Sequence, residues 1–277
     1  MRLFKYTSQH GGDILRNCQL KVTPPNELND PLEFSPYVAE PVTKEHIGHL
    51  MTTVEPREVW ADLVSKGQWS GSFDEFKDHL QDVIPLLVEY GEPTYQKVYE
   101  EKLATTLDSI SQTMGLICFS EEENNILLWS HYTDSHQGMV LEFDTTHNYF
   151  KNNSQFFKVT YSLHRVPFKP SQPDEGTVAE NYTKEVFCTK NIAWNYEREW
   201  RALFPLDWCH KKNIKGQTRY FTDIPPDLVS KVILGHRCPQ QFQQEMLDLK
   251  RARNAQFEIG RAYLHPREFR LEYKPVG

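Results

Sequence analysis

The chain has 277 residues, a net charge of -7 and a pI near 5.9, with 39% hydrophobic, 25% charged and 13% aromatic residues. That size suffices to bury a full core, and the acidic balance gives no global field to attract nucleic acid or anionic lipid. The five cysteines (Cys18, Cys118, Cys188, Cys209, Cys238) form no C-x-x-C pair, no apolar run reaches membrane-spanning length, and "MRLFKYTSQHGG" is no signal peptide, which predicts a reduced, soluble, cytoplasmic protein with no membrane partner.

In chain order, "RLFKYTS" (Arg2 to Ser8) predicts a strand, "GGDILRN" a short helix and "QLKVT" (Gln19 to Thr23) a second strand, followed by the turn-rich "PPNELNDPLEF". From about Pro41 to Thr113 apolar residues recur at three- and four-residue spacing, as amphipathic helices require, with Ser72 as an N-cap. Strand texture returns in "GLICFS" (Gly115 to Ser120) and "GMVLEFD" (Gly138 to Asp144), on either side of a short helical "NNILLWSHY". "FFKVTYS" (Phe156 to Ser162) reads as one strand and "VAENYTKEVFCTK" as a helix. The basic "HKKNIKGQTR" (His210 to Arg219) reads as a solvated loop, and "RYFT", "KVILG", the helical "PQQFQQEMLDLKRAR" and the strand "FEIGRAYL" complete the chain. The pattern predicts one α+β domain over residues 1–277, with residues 41–113 as a helical insertion.

Familiar catalytic signatures are absent. The close histidine pairs, "HIGH" (His46, His49) and "HYTDSH" (His131, His136), match no metal motif; no phosphate-cradling loop or G-x-S-x-G elbow occurs. Cys118 and Cys188 lie in apolar contexts that favour inert burial. Three polar clusters in aromatic sequence remain: "FKYTS" with "NELNDP", "FSEEENNILLWSHYTDSHQG", and "WNYEREWRALF" (Trp194 to Phe204). Read as a strand, the third places Tyr196, Arg198, Trp200, Ala202 and Phe204 on one face and Glu197, Glu199, Arg201 and Leu203 on the other. The two carboxylates then stand roughly 7 Å apart. Either they form a salt-bridged strand edge or they face a pocket, with Trp200 and Phe204 anchoring the strand from behind. In the pocket case Trp129, His131 and Tyr132 line the same cleft as the first strand.

"FKYTS", "VTPPNELNDPLEF", "LICFSEEENNILLWSHYTDSHQGMVLEFD" and "WNYEREWR" resemble the bacterial family catalogued as domain of unknown function 2971. A weaker resemblance is to ADP-ribosyltransferases, whose fold has two small β-sheets that clamp NAD. Their functional residues come from an early, a middle and a late strand, the last carrying E-x-E or a single glutamate. This resemblance implies Glu199 as the catalytic glutamate stabilising an oxocarbenium-like transition state, and Glu197 orienting or deprotonating the acceptor. It implies Lys5 and Tyr6 at the diphosphate or ribose, Ser120 on the middle strand, Trp129 or Tyr132 stacking on nicotinamide, and His131 and Arg201 among the cofactor-binding residues. Lys5 departs from the usual Arg or His, and Ser120 lacks the S-T-S context. The implied protein is an effector of toxin or phage-defence type that uses NAD to modify a macromolecule or hydrolyses it. Two rivals are a ligand-binding module of the same fold without chemistry, and a nuclease or hydrolase with Glu197, Glu199 and His131 around a metal.

Overall fold

The computed structural model describes residues 1–39, 43–45, 47–48, 55–152, 156–168 and 176–276. The described chain is mixed α+β and divides into two compact units: Met1–Phe34, Ile110–Arg165 and Glu185–Gly277 form the first, Ser35–Ser109 and Val166–Lys184 the second.

The first unit is organised by an eight-stranded sheet. Its order runs from the edge strand Leu271–Pro275 through Glu258–Leu264, Val229–Leu234, Met139–Asp144, Arg2–Thr7, Met114–Ser120 and Glu199–Pro205 to the short Phe156–Lys158. All neighbours are antiparallel except Val229–Leu234 and Glu258–Leu264, whose parallel pairing needs a crossover, supplied by the helix Gln240–Arg253. Where the transferase resemblance implies two small sheets, the described residues form this one large sheet and three of two or three strands.

Alternation assigns the two sheet faces different work. Leu3, Ile117, Phe119, Leu141, Phe143, Ala202 and Phe204 enter the main core, closed by Phe242 and Met246 of the crossover helix. On the opposite face of the central strands, Phe4, Ser120 and Glu199 stand in register with one another, and Arg201 stands opposite Cys118. That face carries the charges described below.

Three expectations are corrected. "FFKVTYS" is two strands: Phe156–Lys158 joins the large sheet, whereas Thr160–Ser162 pairs with Thr189–Asn191. The amide of Val159, between them, donates to the Glu199 carbonyl at 2.9 Å. The basic "HKKNIKGQTR" is a hairpin rather than a loop, with His210–Ile214 paired to Gln217–Asp223. Its two central residues, Lys215 and Gly216, both have positive φ, the backbone that matches the natural twist of paired strands. Finally, "WNYEREWRALF" is a strand only from Glu199 onward; Ile192–Glu197 is a 3-10 helix.

The second unit contains the helices Pro56–Ser65 and Phe73–Tyr90, most of Glu92–Thr113, and a short parallel pairing of Tyr37–Val38 with Pro167–Phe168. Ser72 caps the second helix: its hydroxyl accepts from the Glu75 amide, and the Glu75 carboxylate accepts from the Ser72 amide. Trp60 ties the first helix to the second, with its ring 5.8 Å from Phe73 and its indole donating to the Gly71 carbonyl. Between residues 41 and 113 every described element is helical or irregular. Residues 41–42, 46 and 49–54, including both histidines of "HIGH", lie outside the described residues.

Candidate functional site

The sequence around Glu197 builds the site by a sharp change of backbone. Asn191 caps the 3-10 helix by accepting from the Ala193 amide at 2.9 Å, and the helix ends at Arg198, whose φ of 43° is left-handed. That reversal rotates Glu197 to the same side as Glu199. The two carboxylates therefore do not stand apart along a strand. Both reach one ammonium: Lys190 Nζ lies 2.6 Å from Glu197 and 3.1 Å from Glu199. Ser120 holds the turn, donating its hydroxyl to the Glu197 carbonyl at 2.5 Å and accepting from the Glu122 amide at 2.9 Å.

A third carboxylate arrives from the "NELNDPLEF" loop. Glu33 sits 3.2 Å from Lys190 and pairs with Arg201. Asp30 secures that loop by accepting from the Trp194 indole at 2.8 Å. Arg201 grips Glu199 in bidentate fashion, through Nε at 2.8 Å and Nη2 at 3.1 Å, and gives Nη1 to the Phe187 carbonyl. All five residues are buried, Arg201 to 1% exposure. Charges this deep persist only because each is paired; removal of one partner leaves an uncompensated ion.

Two cations thus face three carboxylates. The imbalance falls on Glu197. Desolvation pushes its carboxyl up, and the neighbouring Glu199 adds to this against the pull of Lys190. Glu199 is the reverse: burial works against its charge, but Arg201 and Lys190 outweigh burial and hold the carboxyl down at about 2. Lys190 likewise loses solvation yet is pushed up by the three carboxylates. Two glutamates with divergent proton affinities are what an acid–base pair requires.

These groups line a cavity of about 200 Å³, to which Lys5, Tyr6, Asn29, Ser120 and Tyr132 also contribute. Tyr132 donates to Glu197 at 2.7 Å, and the Asn29 amide reaches the Tyr132 hydroxyl at 3.4 Å. Between the strands of Lys5 and Cys118 only Phe4 and Ser120 are in register, so the ladder opens beyond them. Lys5 Nζ reaches into this opening and donates to the Cys118 carbonyl at 3.1 Å. Burial lowers the Lys5 pKa. Among the described residues no carboxylate lies within ion-pair distance of it. Tyr6 uses its hydroxyl structurally, donating to the Glu122 carbonyl at 2.7 Å and accepting from the Asn125 amide. Burial pushes the Cys118 thiol far up, with Glu199 adding to it, so this cysteine is an inert wall and not a nucleophile.

Glu197, Glu199, Arg201, Lys5, Tyr6, Ser120 and Tyr132 therefore line one cavity. Trp129 and His131 do not line this cavity. On the helix Ile126–Tyr132, Leu128 and Trp129 are buried and Tyr132, one turn on, shares their side; His131 falls with the exposed Leu127. The His131 ring packs near Tyr132 and Trp194, at 6.3 and 6.2 Å. Trp129 lies one layer back, edge-on to Tyr6 at 5.7 Å. Among the described residues no group of three or more His, Cys, Asp or Glu side chains is arranged to hold a metal. Lys190 and Glu33 were not foreseen. Glu33 sits inside a motif already conspicuous for its turn residues, but Lys190 in "CTKN" carries no local signal.

Fold and site together define an α+β protein with a buried, mixed-charge cavity at the strand ends of its large sheet. Residues 128–202 match the family described as Protein of unknown function (DUF2971), so the family resemblance read from the sequence holds over this segment, which supplies Tyr132, Lys190, Glu197, Glu199 and Arg201 to the cavity. No curated protein and no solved structure matches the chain. Among the described residues no helix is long and apolar enough to cross a membrane.

Proposed function

We propose that this cavity binds the nicotinamide-ribose end of NAD and cleaves its N-glycosidic bond, passing ADP-ribose to a macromolecular acceptor or to water. The observation that carries this reading is the convergence of Lys5, Ser120 and Glu199, from three neighbouring strands of one sheet, in a single cavity. The volume of about 200 Å³ is below that of pockets which enclose drug-sized ligands, so one end of the dinucleotide enters and the rest lies outside.

The C1′–N bond breaks with its electron pair leaving on nicotinamide, and positive charge develops on the ribose. Glu199 is suited to face that charge because Arg201 and Lys190 keep it ionised and fixed in direction. Glu197, whose carboxyl is pushed up, accepts the proton of the attacking hydroxyl or water as the new bond to C1′ forms. Lys5 offers its remaining ammonium protons to ribose or diphosphate oxygens, and Tyr132 orients Glu197. Trp129 is too deep to stack on nicotinamide, so that part falls to Tyr132 or Tyr6.

One observation favours a second reading, a nucleotide-binding module without chemistry: both oxygens of Glu199 are already engaged by Arg201 and Lys190. Thermal unfolding with and without NAD tests the feature common to both readings. Saturation at about 100 times the dissociation constant stabilises the fold by about 2.7 kcal/mol. No shift at millimolar NAD rejects both readings. A shift without nicotinamide release favours the binding module.

A further inference from the structure

The net charge of -7 is unevenly spread along the chain. A three-stranded sheet joins the hairpin of His210–Ile214 and Gln217–Asp223 to the strand Gln19–Val22. These strands and the hairpin turn carry five cations (Lys21, Lys211, Lys212, Lys215 and Arg219) against the single carboxylate of Asp223. None of these residues lines the first cavity.

Register sorts the side chains. Lys21 and His210 both stand opposite Phe221, and Lys212 stands opposite Arg219, so all five share one face. The other face turns Leu20, Val22 and Tyr220 to the main core. The outer face is open to solvent along His210–Ile214, every residue of which is exposed. Glu27 opposes two of its cations, Lys21 at 3.1 Å and Arg219, and Asp223 opposes His210 at 2.7 Å. Among the described residues Lys212 has no carboxylate within ion-pair distance. Its ammonium donates to the Gln19 side chain and lies over the part-buried Phe221 ring at 4.8 Å.

Cations alone suit any polyanion, but an aromatic ring set among them is selective. A nucleic acid strand uses both, laying phosphates on the cations and a base on the ring. A carboxylate-rich peptide has nothing to lay on the ring, and a duplex keeps its base faces stacked inside. We infer that this face is a docking surface for single-stranded nucleic acid, with phosphates on Lys21, Lys212 and Arg219 and a base stacked on Phe221. The Lys212 ammonium then leaves the ring for a phosphate. The face adjoins the first cavity through Glu27: the next two residues, Leu28 and Asn29, line that cavity. The inference does not rest on the NAD reading.

The test is fluorescence anisotropy of end-labelled oligothymidylate and oligouridylate, each about twelve nucleotides long, titrated with the full chain without NAD over a range of salt. Both strands are expected to bind, and a preference for one names the sugar. With about three phosphates neutralised, the logarithm of affinity should fall with that of salt at a slope of about -2. Lys212→Gln/Arg219→Gln should flatten the slope to about -0.7. Phe221→Leu, which keeps an apolar side chain at the position, should weaken binding by about fivefold or more and leave the slope unchanged. Lys77→Gln, at an exposed lysine of the helix Phe73–Tyr90, should alter neither. The inference is overturned if neither strand binds at low salt up to about 100 µM protein. It is equally overturned if the double variant keeps the wild-type slope, if Phe221→Leu binds as the wild type does, or if a duplex of the same length binds as tightly. Displacement of the strand by polyglutamate as readily as by unlabelled strand would overturn it too, and mark an acidic-peptide surface.

Discussion

The strand Glu199–Pro205 has two faces with opposite designs. Trp200, Ala202 and Phe204 enter the core, where the Trp200 ring stacks on Phe156 at 5.1 Å. Glu199 and Arg201, on either side of Trp200 in sequence, are buried to 3% and 1% exposure but face charges. The first face is stable by exclusion of water from apolar surface, and tolerates changes that conserve volume. The second is stable only as a complete set. Well-packed hydrophobic residues of similar volume often serve stability as well as such a buried charge set.

The two faces differ in whether a second change repairs the first. Arg201→Met removes the guanidinium that serves Glu33 and Glu199, and should cost about 3 to 5 kcal/mol in denaturant unfolding. Restoring balance with the Arg201→Met/Glu199→Gln double variant should recover part of that loss. On the apolar face, Phe204→Ala should also cost about 3 to 5 kcal/mol, with no recovery from any charge change. Trp200→Ala should fall at the low end, about 3 kcal/mol, because its indole is only half-buried.

Acid sharpens the comparison further. Glu199, at about 2 when folded against an ordinary 4.5, contributes stability that is complete above pH 4.5 and lost as pH falls toward 2. Glu197, raised when folded, has the opposite sign: its share is present below pH 4.5 and lost as pH rises through its folded value. Unfolding free energy followed from pH 2 to pH 8 should therefore decline less on the acid side in Glu199→Gln, and less with rising pH above 4.5 in Glu197→Gln. Variants of the apolar face should displace the whole curve without change of shape. The smallest effect expected is that of Tyr132→Phe, about 1 kcal/mol for one hydrogen bond to Glu197, read by the same unfolding measurement.

Much of this was legible in the sequence because apolar periodicity is a local property. The alternation in "EWRALF" placed Trp200 and Phe204 opposite Glu199 and Arg201, and the spacing around Ser72 marked a helix start. The conformation of Arg198 was not legible, since a left-handed arginine has no residue signature, and with it went the true relation of Glu197 to Glu199. Helical phase misplaced His131: "WSHY" looks like one cluster in sequence, but its members point around a helix. Lys190 is 157 positions from Glu33, and nothing in either segment announces the pairing. Charge networks are assembled by tertiary structure, whereas core faces are written into each strand.

That the charged face serves chemistry is tested most directly by nicotinamide release from NAD, measured for the wild type and Glu199→Asp alongside their thermal unfolding. Aspartate keeps the charge that Arg201 and Lys190 require, so the fold should survive, but it withdraws the carboxylate by about one methylene, enough to cost about a hundredfold in rate. The expected result is release by the wild type and a loss of that order in a folded Glu199→Asp. Equal release by both, or none by the wild type, would contradict it.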